Sequence, residues 1–561
     1  MSAILNWFKV NFFTSEEGGV KEKKSTPTRL LVHFVVAILV LLFIYLSYTI
    51  FKPLNKQWNT TNGSIAKAYI AILFTLTVFS YLVLVIKKKV TFEINVFYIM
   101  LIAFLIRLCY MLYTTGHTRQ HDTWSTNHNG HYDYALYIFD NWSLPNHTFT
   151  ESNIYQFYHP PLHYFISAVW MKIYNVIGFN PTLTQDTDAL FCSVQILSTF
   201  YTFLISWYAV KTIRLLNLSK LATYTGVIFV CFYPRLFQFS GQINNDVLAT
   251  LLVICSIFRL FKYKLDGHSY KDFLLCGLYL GLAMMTKLSA VIVALGYGLY
   301  FLYELIISIM KKDGSVKLQK LLIQYGLFLV ISVPLGLWFQ FYAHNVYGIP
   351  FNFVFRALNS KLFVGTRSYV LAHEYLNVAY YDQNNSGILY ENGFVNFLAR
   401  FVSPFLVDDY VNSGVFANAF NNYNILTYAI KSTIFGEFSY WGGEGFGIVA
   451  IFMGYIFWFS LIIISIYNAI RRRCDITFLV ATLVTFSIIV FYLYLQISMP
   501  YGCSMDARYI VPILLPLGIL LTKNISMLNK EKKTDKYMSY ILSVSSASFV
   551  LASALFYCFA I

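Results

Sequence analysis

The sequence predicts an all-α, multi-pass membrane protein, and three observations carry that reading. Of its 561 residues, 58% are hydrophobic and only 12% charged. The apolar residues are gathered in long runs, too many to be packed inside one water-soluble globule. The lysines and arginines behind a formal net charge of +15 stand in short clusters at the ends of those runs, the pattern of cytoplasmic loops rather than of a nucleic-acid surface.

A transmembrane helix needs about 20 apolar residues, and about 13 segments qualify. The chain opens with residues 1–29, read as a cytoplasmic segment and not a cleaved signal peptide, because charged residues and glycines separate "AILNWF" from the first long run. Segments 30–51 and 66–86 form an extra N-terminal hairpin (30–91) that ends on the basic "KKK" at 87. Segments 92–113, 189–210, 219–235, 247–263, 272–286, 289–309 and 320–342 make up a central module, 92–342. A polar region, 343–445, follows, and 446–470, 476–498, 509–523 and 537–560 form a C-terminal module, 446–561.

The segment "PLHYFISAVWMKIYNVIGF", 161–179, is apolar enough to be taken for one more span. If it crossed, the basic clusters at 211–220, 261–264, 311–320, 471–473 and 523–536 would fall on the wrong side. It is therefore expected to be a helix at the outer surface, started by Pro160 and Pro161, with Tyr164, Trp170, Lys172 and Tyr174 at the interface. A true span with another one misassigned is the alternative. With the helix outside, the exoplasmic face receives a first loop (114–188), the short turn "FQFSGQINND" (237–246), the 343–445 region and "MPYGCSMDAR" (499–508). The cytoplasmic loops carry neither a Walker A nor a Gly-rich dinucleotide turn, so any chemistry lies outside the cytosol. Eight cysteines show no disulfide framework and no CxxC pattern.

The first loop holds seven of the eleven histidines, His117, His121, His128, His131, His147, His159 and His163, among Asp122, Asp133, Asp140 and Glu151. Such a cluster can bind a divalent metal, although for any single His solvated loop polarity is the simpler reading; no cofactor is certain and a metal remains unassigned. Asp122 follows a span by nine residues, held where a lipid headgroup sits, and a positioned carboxylate can take the proton of an attacking hydroxyl. Asp246 stands at the lip of an apolar run, as a site residue or an ordinary helix cap. Lys287 interrupts the longest apolar stretch, where an anion or a snorkelling loop position would suit it. Arg508 opens a late span and can grip phosphate oxygens in a bidentate fork, with a salt bridge to Asp506 as the competing reading.

The order "QHD…GHYDYALYIFDNWSLP…YHPPLHYFISA", then "NND", "GLAMMTKLSA" and "DARYIVPILLP", resembles the GT-C membrane glycosyltransferases of the protein O-mannosyltransferase and aminoarabinose transferase type, glycosyltransferase family 39 and its relatives. The resemblance runs from about 92 to 523. It implies a polyprenyl-phosphate sugar, dolichyl or undecaprenyl, as donor; transfer at the exoplasmic face with inversion; Asp122 as base; Asp246 in support; and Lys287 and Arg508 on the lipid phosphate. His121, His131, His159 and His163 are taken with them as substrate-binding. The surface helix after "HPPL" matches the juxtamembrane helix of the family. Mannosyltransferases of this type commonly have an Asp-Glu pair in the first loop; here it is His121-Asp122, so mannose, a protein acceptor and a metal requirement are not carried over. The acceptor is left as protein, lipid or glycan, and the host membrane as a bacterial plasma membrane or the endoplasmic reticulum. In the latter, Asn59, Asn62, Asn141, Asn146 and Asn384 are sequon acceptors. The rival reading is a transporter or lipid-linked sugar flippase, which calls for charges at the bilayer midplane and related halves; neither stands out.

Overall fold

The computed structural model describes residues 27–57, 63–123, 130–145, 156–177, 187–310, 318–351, 393–402, 424–438, 440, 442–471, 473–500, 506–528 and 531–560. The first helices are α1 (Pro27–Gln57), α2 (Ser64–Ile86) and α3 (Phe92–Tyr113). Then come α4 (His131–Asn141), α5 (Leu162–Ile177), α6 (Thr187–Cys192), α7 (Val194–Leu215), α8 (Lys220–Cys231) and α9 (Arg235–Gly241). The chain continues with α10 (Asp246–Leu265), α11 (Tyr270–Thr286), α12 (Ile292–Met310) and α13 (Leu318–Tyr342). It closes with α14 (Gly393–Val402), α15 (Ile425–Phe435), α16 (Glu444–Ile470), α17 (Ile476–Ser498), a 3-10 turn Ala507–Ile513 running into α18 (Leu514–Met527), and α19 (Lys533–Phe559).

Helices dominate because a bilayer offers no water to unpaired backbone groups, and a helix satisfies its own. Ten helices among the described residues are long and apolar enough to cross a membrane, and the chain is an integral multi-pass membrane protein. The other three expected spans fall on α8, α10 and α11, of 12, 20 and 17 residues. These lie in the interior of the bundle, and small residues let them close in. Gly281 of α11 faces Leu335 and Ser332 of α13, while Gly336 of α13 faces Met284 of α11, with no room for a Cβ at Gly336.

Charged side chains pair between helix ends. At one end Arg214 pairs with Glu93 at 2.8 Å, Arg259 with Asp272 at 2.6 Å and Arg473 with Asp535 at 2.7 Å. The polar loops gather at the other. There α5, 16 residues long, packs on the bundle through two anchors. It is anchored by His163, whose Nε2 donates to the Ile243 carbonyl at 2.9 Å, and by Trp170, whose Nε1 donates to the Ser193 carbonyl at 3.1 Å.

Two expectations are corrected in detail. Tyr164, Trp170 and Tyr174 face the protein and not a membrane interface; the exposed apolar side of α5 is Phe165, Ile173 and Val176, and Lys172 lies over the Phe139 ring at 3.8 Å. Packing against the bundle claims the aromatic face first. The turn expected at 237–246 begins with a helix, α9, all of whose residues are buried. Most of the 343–445 region and residues 1–26 lie outside the described residues, as do His128, His147, Glu151, Cys503, Asn59, Asn62, Asn146 and Asn384.

Candidate active site

The site is built where the loop after α3 meets the start of α10, the end of α11 and the turn before α18. Gln120 fixes the loop to the α9–α10 turn: its Nε2 donates to the Gly241 carbonyl at 2.8 Å and its Oε1 accepts from the Ile243 amide at 3.1 Å. Asp122 then takes a left-handed backbone, φ +53°, a conformation that Asp and Asn tolerate better than most residues. Its carbonyl accepts the amide of His131, which starts α4, at 3.1 Å.

Of the residues expected at the site, Asp122 and Arg508 meet across 386 positions of sequence, with Arg508 Nη2 3.5 Å from Asp122 Oδ2. Asp246 and Lys287 form a second pair through Lys287 Nζ and Asp246 Oδ1. Asn245, not Asp246, holds the N-cap position of α10, and the Asp246 carboxylate turns to Lys287, so capping is not its role. Burial alone would raise its carboxyl, but Lys287 and then Arg508 outweigh that and hold it well below the usual carboxylate range. Burial presses the Lys287 ammonium down from its ordinary value, with Asp246 opposing. Tyr509 ties the two pairs together: it accepts from Arg508 Nη2 at 2.9 Å, and its ring lies 4.7 Å from Lys287 Nζ. Asp246, Lys287, Arg508 and Tyr509 line a cleft of about 380 Å³, counting its space open to solvent, floored by Val253, Ala290, Val293 and Ile488.

The four expected histidines are arranged differently from one another. His121 is buried; its Nδ1 meets Glu437 Oε1, and its Nε2 lies 3.3 Å from Arg235 Nη2. Its Nδ1 thus faces Glu437, while its Nε2 faces Arg235 and, at 3.7 Å, Asp506 Oδ2. Burial would raise the Glu437 carboxyl, yet His121 and then Arg508 keep it below its usual value. His131 Nδ1 meets Tyr164 OH at 2.6 Å, and its ring stacks on His159 at 5.8 Å. Burial pushes His131 down to about 3 and His163 down to about 4, and carries His159 well below its ordinary value. These three are neutral side chains in electrostatic reach of Asp246, and His131 and His159 also of Asp122.

Asp506 is not the partner expected for Arg508. Its Oδ1 accepts the Arg508 backbone amide at 3.0 Å, starting the 3-10 turn, while its Oδ2 pairs with Arg235 Nη2 at 2.7 Å, both side chains fully buried. Reading the sequence missed Arg235 and Glu437. A lone Arg in the apolar "FYPRLFQF" was a usable signal, since an ionisable group in such a run is usually paired. Glu437 carried none beyond its charge. The ligand atoms of His121, Glu437 and Asp506 lie within 4.8 Å of one another, a set that suits a divalent cation, but Arg235 already supplies a positive charge to two of the three. A metal there would have to displace it.

Against known proteins, residues 130–349, under half of the chain, match the family model "Dolichyl-phosphate-mannose-protein mannosyltransferase". This match supports the GT-C superfamily resemblance drawn from the sequence, and a glycosyltransferase as the class of enzyme. Among solved structures, the chain is similar to the crystal structure of ArnT from Cupriavidus metallidurans bound to undecaprenyl phosphate, with 13% identity, a TM-score of 0.43, and coverage of 82% of this chain and 75% of that one. That likeness is too remote to inform the site. No curated protein matches.

Proposed function

We propose that this chain transfers one sugar, a hexose or pentose, from a polyprenyl-phosphate donor to an acceptor on the exoplasmic face, with inversion at the anomeric carbon. The observation that carries it is the convergence of Asp246, Lys287 and Arg508 on one cleft, with Asp122 held beside it by Arg508. The family matched by residues 130–349 names a dolichyl-phosphate sugar as donor. The position of the basic clusters between alternate apolar runs of the sequence supports the exoplasmic assignment.

Asp122, half-exposed beside the cleft, accepts the proton of the acceptor hydroxyl as its oxygen attacks the anomeric carbon. The bond from that carbon to the phosphate oxygen breaks, and its electron pair leaves with the phosphate. Arg508 and Lys287 stabilise the charge that develops there. Asp246 keeps Lys287 aimed at the cleft, and the buried His121, Glu437, Arg235 and Asp506 set hold Asp122 in its loop. The neutral His131, His159 and His163 lie in electrostatic reach of Asp246 and add no further positive charge there.

The purified protein, given polyprenyl-phosphate mannose or aminoarabinose and a panel of protein, lipid and glycan acceptors, is expected to release polyprenyl phosphate as the sugar appears on one acceptor. Movement of intact donor across a vesicle membrane without loss of sugar would instead establish the flippase.

A further inference from the structure

A second cluster of ligating side chains lies at the same end of the bundle, outside the cleft, and the proposed transfer makes no use of it. His117 Nε2 meets Asp188 Oδ2 at 2.8 Å, and one ligand atom from each of His117, Asp188 and Cys192 lies within 4.8 Å of the other two. Asp188 and Cys192 are four residues apart on α6, so they share one face of the helix. The loop after α3 brings His117 to that face. Gly116 permits the approach, because a Cβ there would overlap the Cys192 sulfur.

Imidazole, carboxylate and thiolate are the three protein donors that zinc accepts, at about 2.0–2.3 Å each. Tetrahedral ligands at those lengths stand about 3.3–3.8 Å apart, so the trio needs only a small side-chain adjustment. Two anionic donors and one neutral one match a dication in charge. The half-exposed His117 and Asp188 side chains leave a fourth position open to water. The contrast with His121, Glu437 and Asp506 is direct, since there a guanidinium already occupies the centre.

We propose that His117, Asp188 and Cys192 bind one divalent cation of the zinc class, stapling the loop that carries Asp122 to α6. Binding releases the Cys192 thiol proton to solvent. The site stands apart from the transfer reaction and does not depend on it.

The test titrates the purified full-length chain with cobalt(II), a coloured stand-in for zinc, and reads the sulfur-to-cobalt charge-transfer band. The wild type is expected to develop the band to one equivalent and to lose it when zinc is added. Cys192→Ser abolishes it, while His117→Ala and Asp188→Asn weaken binding by at least about tenfold. Gly116→Ala, which removes no ligand but displaces the sulfur, weakens it as well. Glu437→Gln, at the other cluster, leaves it unchanged. Melting curves establish that each variant is folded. No band in the wild type, a band that persists in Cys192→Ser, or a band lost only in Glu437→Gln overturns the proposal.

Discussion

Asp122→Asn separates the two roles a carboxylate can play at this position. Asn keeps the side-chain shape and tolerates the left-handed backbone that residue 122 adopts, so the loop is not strained. What disappears is one negative charge 3.5 Å from the Arg508 guanidinium. Because the Asp122 side chain is 38% exposed, water screens that pair, and its contribution to stability is about 0–1 kcal/mol. The missing proton acceptor weighs far more. A positioned general base contributes about 10²- to 10⁴-fold, which at about 1.4 kcal/mol per tenfold is about 3–5 kcal/mol of barrier. The variant should therefore melt close to the wild type yet release sugar from a polyprenyl-phosphate donor about 10²- to 10⁴-fold more slowly. Melting is read by temperature-dependent size exclusion, and the rate by initial velocities at saturating donor. Turnover within about threefold of wild type, well below the base contribution, would refute Asp122 as the base. A collapse in melting temperature would show instead that the carboxylate is structural.

Lys287→Met should raise the donor KM by about 10- to 100-fold, the equivalent of the 1.5–3 kcal/mol of a charged hydrogen bond; an unchanged KM would remove Lys287 from the phosphate. Arg235→Met leaves Asp506 buried without its cation and should cost about 3–5 kcal/mol of stability, whereas Arg235→Met with Asp506→Leu should recover much of it; equal melting of the single and double variants would contradict a buried pair. Acid should destabilise the fold through His131 and His163. Above an unfolded value of 6.5 these rings are neutral in both states. As pH falls towards about 3 for His131 and about 4 for His163, the unfolded chain takes up protons that the folded one refuses. Stability then drops by about 1.4 kcal/mol per pH unit for each ring. His163→Gln should flatten the melting-temperature slope between pH 6.5 and pH 4, a window set by those two values, and an unaltered slope would show that His163 is not a contributor.

What was legible in the sequence was what composition and sidedness encode. Apolar runs coincide with the ten helices long and apolar enough to cross a membrane, and the basic clusters are what set the expectation for α5. Asp122, Asp246, Lys287 and Arg508 were found because a charged residue at the lip of an apolar run is expensive unless paired or useful. Their pairing was not legible. Asp506 is two residues from Arg508 yet joins Arg235, 271 positions away, and no periodicity encodes that choice. The aromatic face of α5 misled for a related reason: Tyr and Trp suit a membrane interface and a protein interior alike, and only the anchoring of Trp170 on Ser193 decides between them.

The mouth of the cleft carries two acids, Asp122 and Asp246, facing two bases, Lys287 and Arg508, so on its own it is electrically neutral. On the proposed reading, a lipid phosphodiester arriving there finds no idle cation and has to coax Lys287 or Arg508 from its present carboxylate. Such a swap disfavours small anions that offer nothing else in return, and it rewards a guest whose hydrocarbon tail and sugar add contacts of their own. Selectivity for a greasy, glycosylated phosphate over free phosphate would then begin with the neutrality of the gate.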